Sequence, residues 1–192
     1  MLNIIKYMIK QYRADYHEKC KLAYIMKTFS TVSIEGSVHV KGDVTNLVLG
    51  DRVIIQSGSV LHLGGMEWCE YAGSLVIGSG SVISPNCVIY AVGPGGIKIG
   101  KRFDCGPGVG IFASRTDYRK GINSHVFERV EIGNDVTIFA NAVISPGDEV
   151  GNGAVIAAGT AVTKNVPENA FVGGIPAKII RENIKNNYDR NY

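Results

Sequence analysis

Charge of one sign, long apolar runs, proline and cysteine are all scarce in this chain, and each shortage removes a class of protein. Twenty Lys and Arg stand against 17 Asp and Glu, a net charge of +3, with no basic cluster interleaved with aromatics. A surface built for nucleic acid is therefore not expected. No stretch reaches the roughly 18 consecutive apolar residues of a membrane span. The opening MLNIIKYMIKQYR is broken by Lys6 and Lys10, so it lacks the apolar core of a signal peptide. Four cysteines, Cys20, Cys69, Cys87 and Cys105, form no CxxC and no Cys/His ligand spacing, and 192 residues need no disulfide to fold. The expectation is a soluble cytoplasmic protein with reduced thiols and no bound metal. Only 6 prolines and 45 % hydrophobic residues exclude collagen-like and disordered compositions.

What the chain has in excess is glycine, 24 of 192 residues against a usual share of about 7 %. These glycines are periodic. From Ile132 an aliphatic residue recurs every six positions, at Ile138, Ile144, Val150, Ile156 and Val162. Four residues after each stands a small, β-branched or short residue: Val136, Ala142, Asp148, Ala154, Thr160 and Val166. The pattern recurs upstream in shifted frames, at Leu49-Gly50, Ile55, Leu61; at Ile77-Gly78, Ile83, Ile89; and at Ile99-Gly100, Cys105-Gly106, Ile111, with a weaker copy from Ile34 and Val40. A six-residue unit with one inward aliphatic is a short strand plus a turn, too small to bury anything alone. Three units make an eighteen-residue triangular coil, and stacked coils bury a column of Ile, Val and Leu. Gly50-Asp51, Gly133-Asn134 and Gly151-Asn152 suit corners, where positive φ is often needed.

The frame shifts measure insertions. Every insert follows the third hexad of a coil, so all leave one edge of the prism. The two longest lie near residues 65–76 and 117–131, and projecting loops are where function tends to sit. Residues 2–27 read as a helix, with Ile5, Met8, Ile9, Tyr12, Tyr16, Cys20, Ala23 and Tyr24 at helical spacing. Packing of this helix on the first coil is preferred over a basic face meeting an anionic partner or membrane. The division expected is a helical cap over 1–30, a solenoid over 31–176, and a short C-terminal helix and tail over 177–192, starting around Ile179 and Ile180.

From Val130 to Glu182 the chain resembles the hexapeptide-repeat acyltransferases, particularly the O-acetyltransferases of sugars and surface polysaccharides. AGTAVTKNVPENAFVGGIPAKII is the most specific stretch, because a plain solenoid needs no fixed ending. The resemblance implies an all-β fold, a left-handed parallel β-helix of hexapeptide repeats. It implies an acetyl-CoA-dependent transferase working as a homotrimer, with sites in clefts between neighbouring subunits. Carried over residue by residue, Ala140 and Ala158 line the pantetheine arm through their backbones, and Thr163 and Lys164 approach the cofactor further along. Lys178 and Arg181 are candidates for its phosphates, which Lys and Arg answer by charge.

Moving an acetyl group from a thioester to a sugar hydroxyl needs a base of near-neutral pKa, normally histidine. The family carries it at the mouth of the loop, where this chain reads IFASRTDY with no histidine. Of the four histidines, His17 and His39 read as structural or surface residues. His125, inside the largest insert, is the first choice as base; His62 is the second; Asp117 orients or replaces either. Phe139 stands where the family commonly has glycine. Glu67, Trp68, Glu70, Tyr71 and Tyr118 offer a sugar aromatic faces and hydrogen bonds, or serve as loop packing. Alternatives to O-acetylation are N-acetylation of an amino or nucleotide sugar and a non-catalytic trimeric scaffold. A zinc enzyme of the carbonic-anhydrase type would need a third histidine at the edge.

Overall fold

The computed structural model describes residues 2–65, 69 and 72–184. One helix, α1 (Leu2–Thr28), precedes a stack of very short parallel strands. The strands fall into three sheets that the chain visits in rotation. The first sheet stacks Ser33–Ile34, Ile54–Ile55, Val82–Ile83, Asp104–Cys105, Thr137–Ile138, Val155–Ile156 and Phe171–Gly173. The second stacks His39–Gly42, Val60–Leu63, Val88–Tyr90, Gly110–Phe112, Val143–Ile144 and Ala161–Val162. The third stacks Leu47–Leu49, Leu75–Ile77, Ile97–Ile99, Val130–Ile132 and Glu149–Val150.

Registers between coils match the hexads residue for residue from Ile99 to Val162; the last coil is two residues shorter, with Val166 pairing with Val150 and Val172 with Ile156. Ile132 pairs with Ile99 and Val150, Ile138 with Cys105 and Ile156, and Ile144 with Ile111 and Val162. Every one of these side chains is buried. Three columns of aliphatic residues thus form one continuous core, and Cys105 fills an aliphatic place in the first column. No disulfide joins any of the four cysteines.

The glycine that follows each aliphatic residue serves a purpose other than the one expected of it. A Cβ on Gly133 would lie 2.7 Å from the backbone nitrogen of Asn152, and one on Gly151 would lie 2.5 Å from that of Glu168. These glycines let one coil settle on the next. Positive φ falls two residues later, at Arg52, Gly80, Arg102, Asp135 and Gly153. Arg102 and Asp135 occupy this conformation in adjacent coils, and Arg102 Nε and Nη2 donate to the two Asp135 carboxylate oxygens.

All inserts leave from the corner between the second and third sheets. One departs after Leu63 and another after Phe112, where the chain forms an antiparallel hairpin of Ser114–Thr116 with His125–Phe127. Of the residues considered for binding a sugar, Glu67, Trp68, Glu70 and Tyr71 lie outside the described residues.

Two expectations are corrected. Ile179 and Ile180 do not begin a helix: Lys178–Arg181 is a strand pairing antiparallel with Phe171–Gly173. Gly174, at φ 104°, turns the chain back, and the last strand of the first sheet offers backbone groups that a strand satisfies and a helix would not. Residues 185–192 lie outside the described residues. The α1 helix does pack on the first coil, but only at its C-terminal end and not along its apolar stripe. Among its described side chains only Leu22 and Ile25 are buried, whereas Ile5, Met8, Ile9, Tyr12, Tyr16 and Tyr24 are exposed. The join is made at its C-terminal end, where Glu18 accepts the Val40 N–H and Lys21 donates to the Val40 carbonyl.

Candidate functional site

Outward-facing residues of the second sheet form a line along the stack. Lys41 pairs with His62, His62 with Tyr90, and Tyr90 with Phe112. Continuing the register of Ile111, Ile144 and Val162 by one residue adds Ser145 and Thr163. His62 and Thr163 therefore share a line but stand four strands apart, about 19 Å at ~4.8 Å per step.

His62 sits between Lys41 and Tyr90 in that line. It is 7 % exposed, its ring centre is 4.7 Å from that of Tyr90, and its Nδ1 accepts the Gly64 N–H at 3.4 Å. Burial, helped by the charge of Lys41, holds its pKa below the ordinary histidine value. The surroundings of this imidazole are those of a packed ring.

Phe112, Ser145 and Thr163 sit at the open end and line a groove of 480 Å³. The hairpin supplies the opposite wall with Arg115 and Glu128, an ion pair at 3.9 Å. The cross-strand register puts His125 directly opposite Thr116, at the mouth of the loop. Side chains directly opposite in an antiparallel pair share a face, so Thr116, His125, Ser114 and Phe127 lie on one side of the ribbon and Arg115 and Val126 on the other. Thus the hairpin carries His125 back to the loop mouth, on the side away from Arg115. Asp117 is turned to its own loop, accepting from the Arg119 N–H and facing Lys120 Nζ at 3.7 Å.

The remaining candidates are spread over one end of the stack. Ala140 and Ala158 occupy equivalent corner positions in successive coils, and the Ala140 carbonyl accepts the Gly159 N–H. Arg181 and Phe139 come together in a second groove, of 390 Å³, with Val155, Phe171, Ile180 and Ile184. Lys164 and Lys178 are exposed and line neither groove. A third groove, of 590 Å³, runs over the third sheet between Lys98, Glu131 and Glu149, and none of the expected residues reaches it. Among the described residues no three His, Cys, Asp or Glu side chains converge as metal ligands.

Two residues escaped the sequence reading. Glu128 stands where the insert rejoins the coil, mirroring Arg115 where it departs; the symmetry of the two insert ends was the available signal. Asp148, read only as a corner residue, is 5 % exposed at the root of the hairpin. Burial raises its pKa and the charge of Glu128 adds to this, against a hydrogen bond from the Ser145 backbone. Its Oδ2 has no hydrogen-bond partner among the described residues.

No protein-family model matches the chain. It is similar to the galactoside O-acetyltransferase of Escherichia coli, with 29 % identity over 146 residues, covering 73 % of this chain and 62 % of that enzyme. The matched segments span less than two thirds of the length of the first curated relatives. An N-acyltransferase of Bacillus cereus, AntD, solved with dTDP-4-amino-4,6-dideoxyglucose and coenzyme A, shares the fold at a TM-score of 0.70 and 19 % identity, over 81 % of this chain and 82 % of AntD. The hexapeptide-repeat-containing acetyltransferase VCA0836 of Vibrio cholerae superposes with a TM-score of 0.60 over 70 % of this chain and 73 % of its own, and at 30 % identity. With identity of that extent over more than two thirds of both chains, this chain belongs to the hexapeptide-repeat acetyltransferase family.

Proposed function

We propose that the chain moves an acetyl group from acetyl-CoA to a hydroxyl of a sugar or surface-polysaccharide precursor, as a homotrimer of left-handed β-helices with its sites between subunits. The observation that carries this is the 30 % identity to a hexapeptide-repeat acetyltransferase across 73 % of that protein's length. The residues present suit a long, thin, anionic cofactor. The Ala140–Ala158 corner has no side chain beyond a methyl to obstruct a pantetheine arm. Thr163 opens onto the groove beside it, and Lys164, Lys178 and Arg181 supply cations around that end.

In this reading His125 is the base. Its imidazole takes the acceptor's hydroxyl proton as the oxygen attacks the thioester carbonyl; a backbone N–H holds the oxyanion. The intermediate then collapses, the C–S bond breaks, and the coenzyme A thiolate takes the proton back from the imidazolium. Support for His125 over His62 comes from the hairpin register, which sets it beside Thr116 at the loop mouth, whereas His62 is packed under Tyr90. A site between subunits lets the base of one chain serve the groove of the next.

A second reading, N-acylation of a nucleotide-linked amino sugar, is favoured by the higher shape similarity to AntD, whose structure holds such a sugar with coenzyme A. Thiol release from acetyl-CoA, followed against a panel of sugars, amino sugars and nucleotide sugars, separates the two readings by the acceptor that is consumed. On the O-acetylation reading, His125→Ala lowers kcat by about 10²- to 10⁴-fold. Wild-type turnover in His125→Ala with loss in His62→Ala overturns the assignment of the base. An absence of acetyl-CoA binding overturns the enzyme reading in favour of a scaffold.

A further inference from the structure

The face of α1 that meets the stack and the face that carries its apolar stripe are different faces. Glu18, Lys21, Leu22 and Ile25 make the join. At about 100° per residue, the stripe Ile5, Met8, Ile9, Tyr12 and Tyr16 is centred about 145° round the helix from them. Those five side chains are between 48 % and 72 % exposed, and Ile4 and Tyr7, on the side of the join but beyond its reach, are exposed as well. Residues 4–17 are exposed at every position, about 21 Å of helix at 1.5 Å per residue.

Charge says what covers this stripe. Lys6, Lys10, Arg13 and His17 each follow a stripe residue by one position, which sets them along one flank of it. The helix holds six Lys and Arg against Asp15 and Glu18, a net of +4, while the rest of the chain holds 14 against 15, a net of −1. The positive charge of the whole protein thus resides in α1. A second copy of the helix would bring the same charge to the contact, whereas an anionic surface answers it. The helix is not long and apolar enough to cross a bilayer. A stripe of Ile, Met and Tyr with a basic flank is the pattern of a helix lying in the headgroup plane.

We infer that α1 docks the protein on an anionic lipid surface, with Ile5, Met8, Ile9, Tyr12 and Tyr16 entering the interface and Lys6, Lys10 and Arg13 meeting the lipid charges. The inference does not depend on the acetyl-transfer reading. It is tested by co-sedimentation of the full chain with vesicles of phosphatidylglycerol and phosphatidylcholine, and with phosphatidylcholine alone, alongside light scattering for molar mass. Binding to the anionic vesicles is expected, weakened by high salt. Replacing Lys6, Lys10 and Arg13 by Gln together should weaken it about 100-fold, at about fivefold per charge. Ile9→Asp should also lose binding at unchanged molar mass, since all four side chains are solvent-exposed in the isolated chain. Binding no stronger than to phosphatidylcholine, or binding indifferent to both variants, overturns the inference. So does an Ile9→Asp protein that changes molar mass but still pellets with vesicles, which would assign the stripe to a second copy.

Discussion

Replacing Asp148 by valine should stabilise the protein, and the gain should depend on pH. The register that pairs Glu131 with Glu149 sets Asp148 beside Val130, a buried valine one coil earlier, so the corner already accepts a β-branched apolar side chain. Its carboxyl is 5 % exposed and Oδ2 has no partner, a state that costs about 1–3 kcal/mol for a buried polar atom. The Ser145 N–H that the carboxylate attracts also donates to the Val162 carbonyl, so valine leaves no donor stranded. For a protein of this size about 2–4 °C in Tm accompanies each kcal/mol, giving a rise of about 2–12 °C at neutral pH. The sign of the pH dependence follows from burial. Because the folded state raises the Asp148 pKa above its ordinary 3.8, the folded chain keeps this proton to higher pH than the unfolded chain. Stability from this group is therefore greatest in acid and is lost as pH rises through the raised value. The advantage of Asp148→Val should shrink toward acid pH, and Asp148→Asn should remove the pH dependence with a smaller gain. Thermal melts followed by circular dichroism across that range measure both. A valine variant that melts below wild type at neutral pH, or one whose advantage is the same at every pH, refutes the reasoning.

Two further outcomes follow from the packing. Gly133→Ala places a methyl 2.7 Å from the Asn152 backbone, which cannot swing aside, and should destabilise by about 1–3 kcal/mol; Gly36→Ala, with nothing within 4 Å, should leave the melting temperature nearly unchanged. His62 has its pKa depressed in the folded state, so its contribution is full above the ordinary 6.5 and is lost as pH falls toward the folded value. In His62→Phe, which keeps a ring against Tyr90, the acid limb of the stability profile should be flatter than in wild type.

The stack was legible in the sequence because its period is set by burial. Each coil must turn one aliphatic side chain into each of three columns, so spacing alone places Ile132, Ile138 and Ile144. The insert corner followed from the frame shifts for the same reason. Legibility failed where contacts are tertiary or where two demands fall on one residue type. Glycine at 133 and 151 answers the approach of the next coil, which sequence cannot distinguish from a need for positive φ. Apolar spacing in α1 located a helix and its stripe, but the direction of that stripe depends on where Leu22 and Ile25 anchor it. Lys178–Arg181 became a strand because a partner strand stood beside it, a fact of the sheet and not of the segment. At the site, the hairpin register that returns His125 to Thr116 could not be read from an irregular loop, and Glu128 and Asp148 gave no motif.

That every insert leaves from one corner divides the molecule into a part that tolerates change and a part that does not. At the other two corners a single added residue would shift an aliphatic column out of line for every strand that follows. At the insert corner, a longer excursion adds mainly loop-closure entropy, about 0.6 kcal/mol for each doubling of length, and the next strand still enters its sheet in register. The hairpin, with its histidine and its Arg115–Glu128 wall, can thus be lengthened, shortened or exchanged at little thermodynamic cost. A scaffold of this kind can change what it recognises along one edge while its core sequence stays constant.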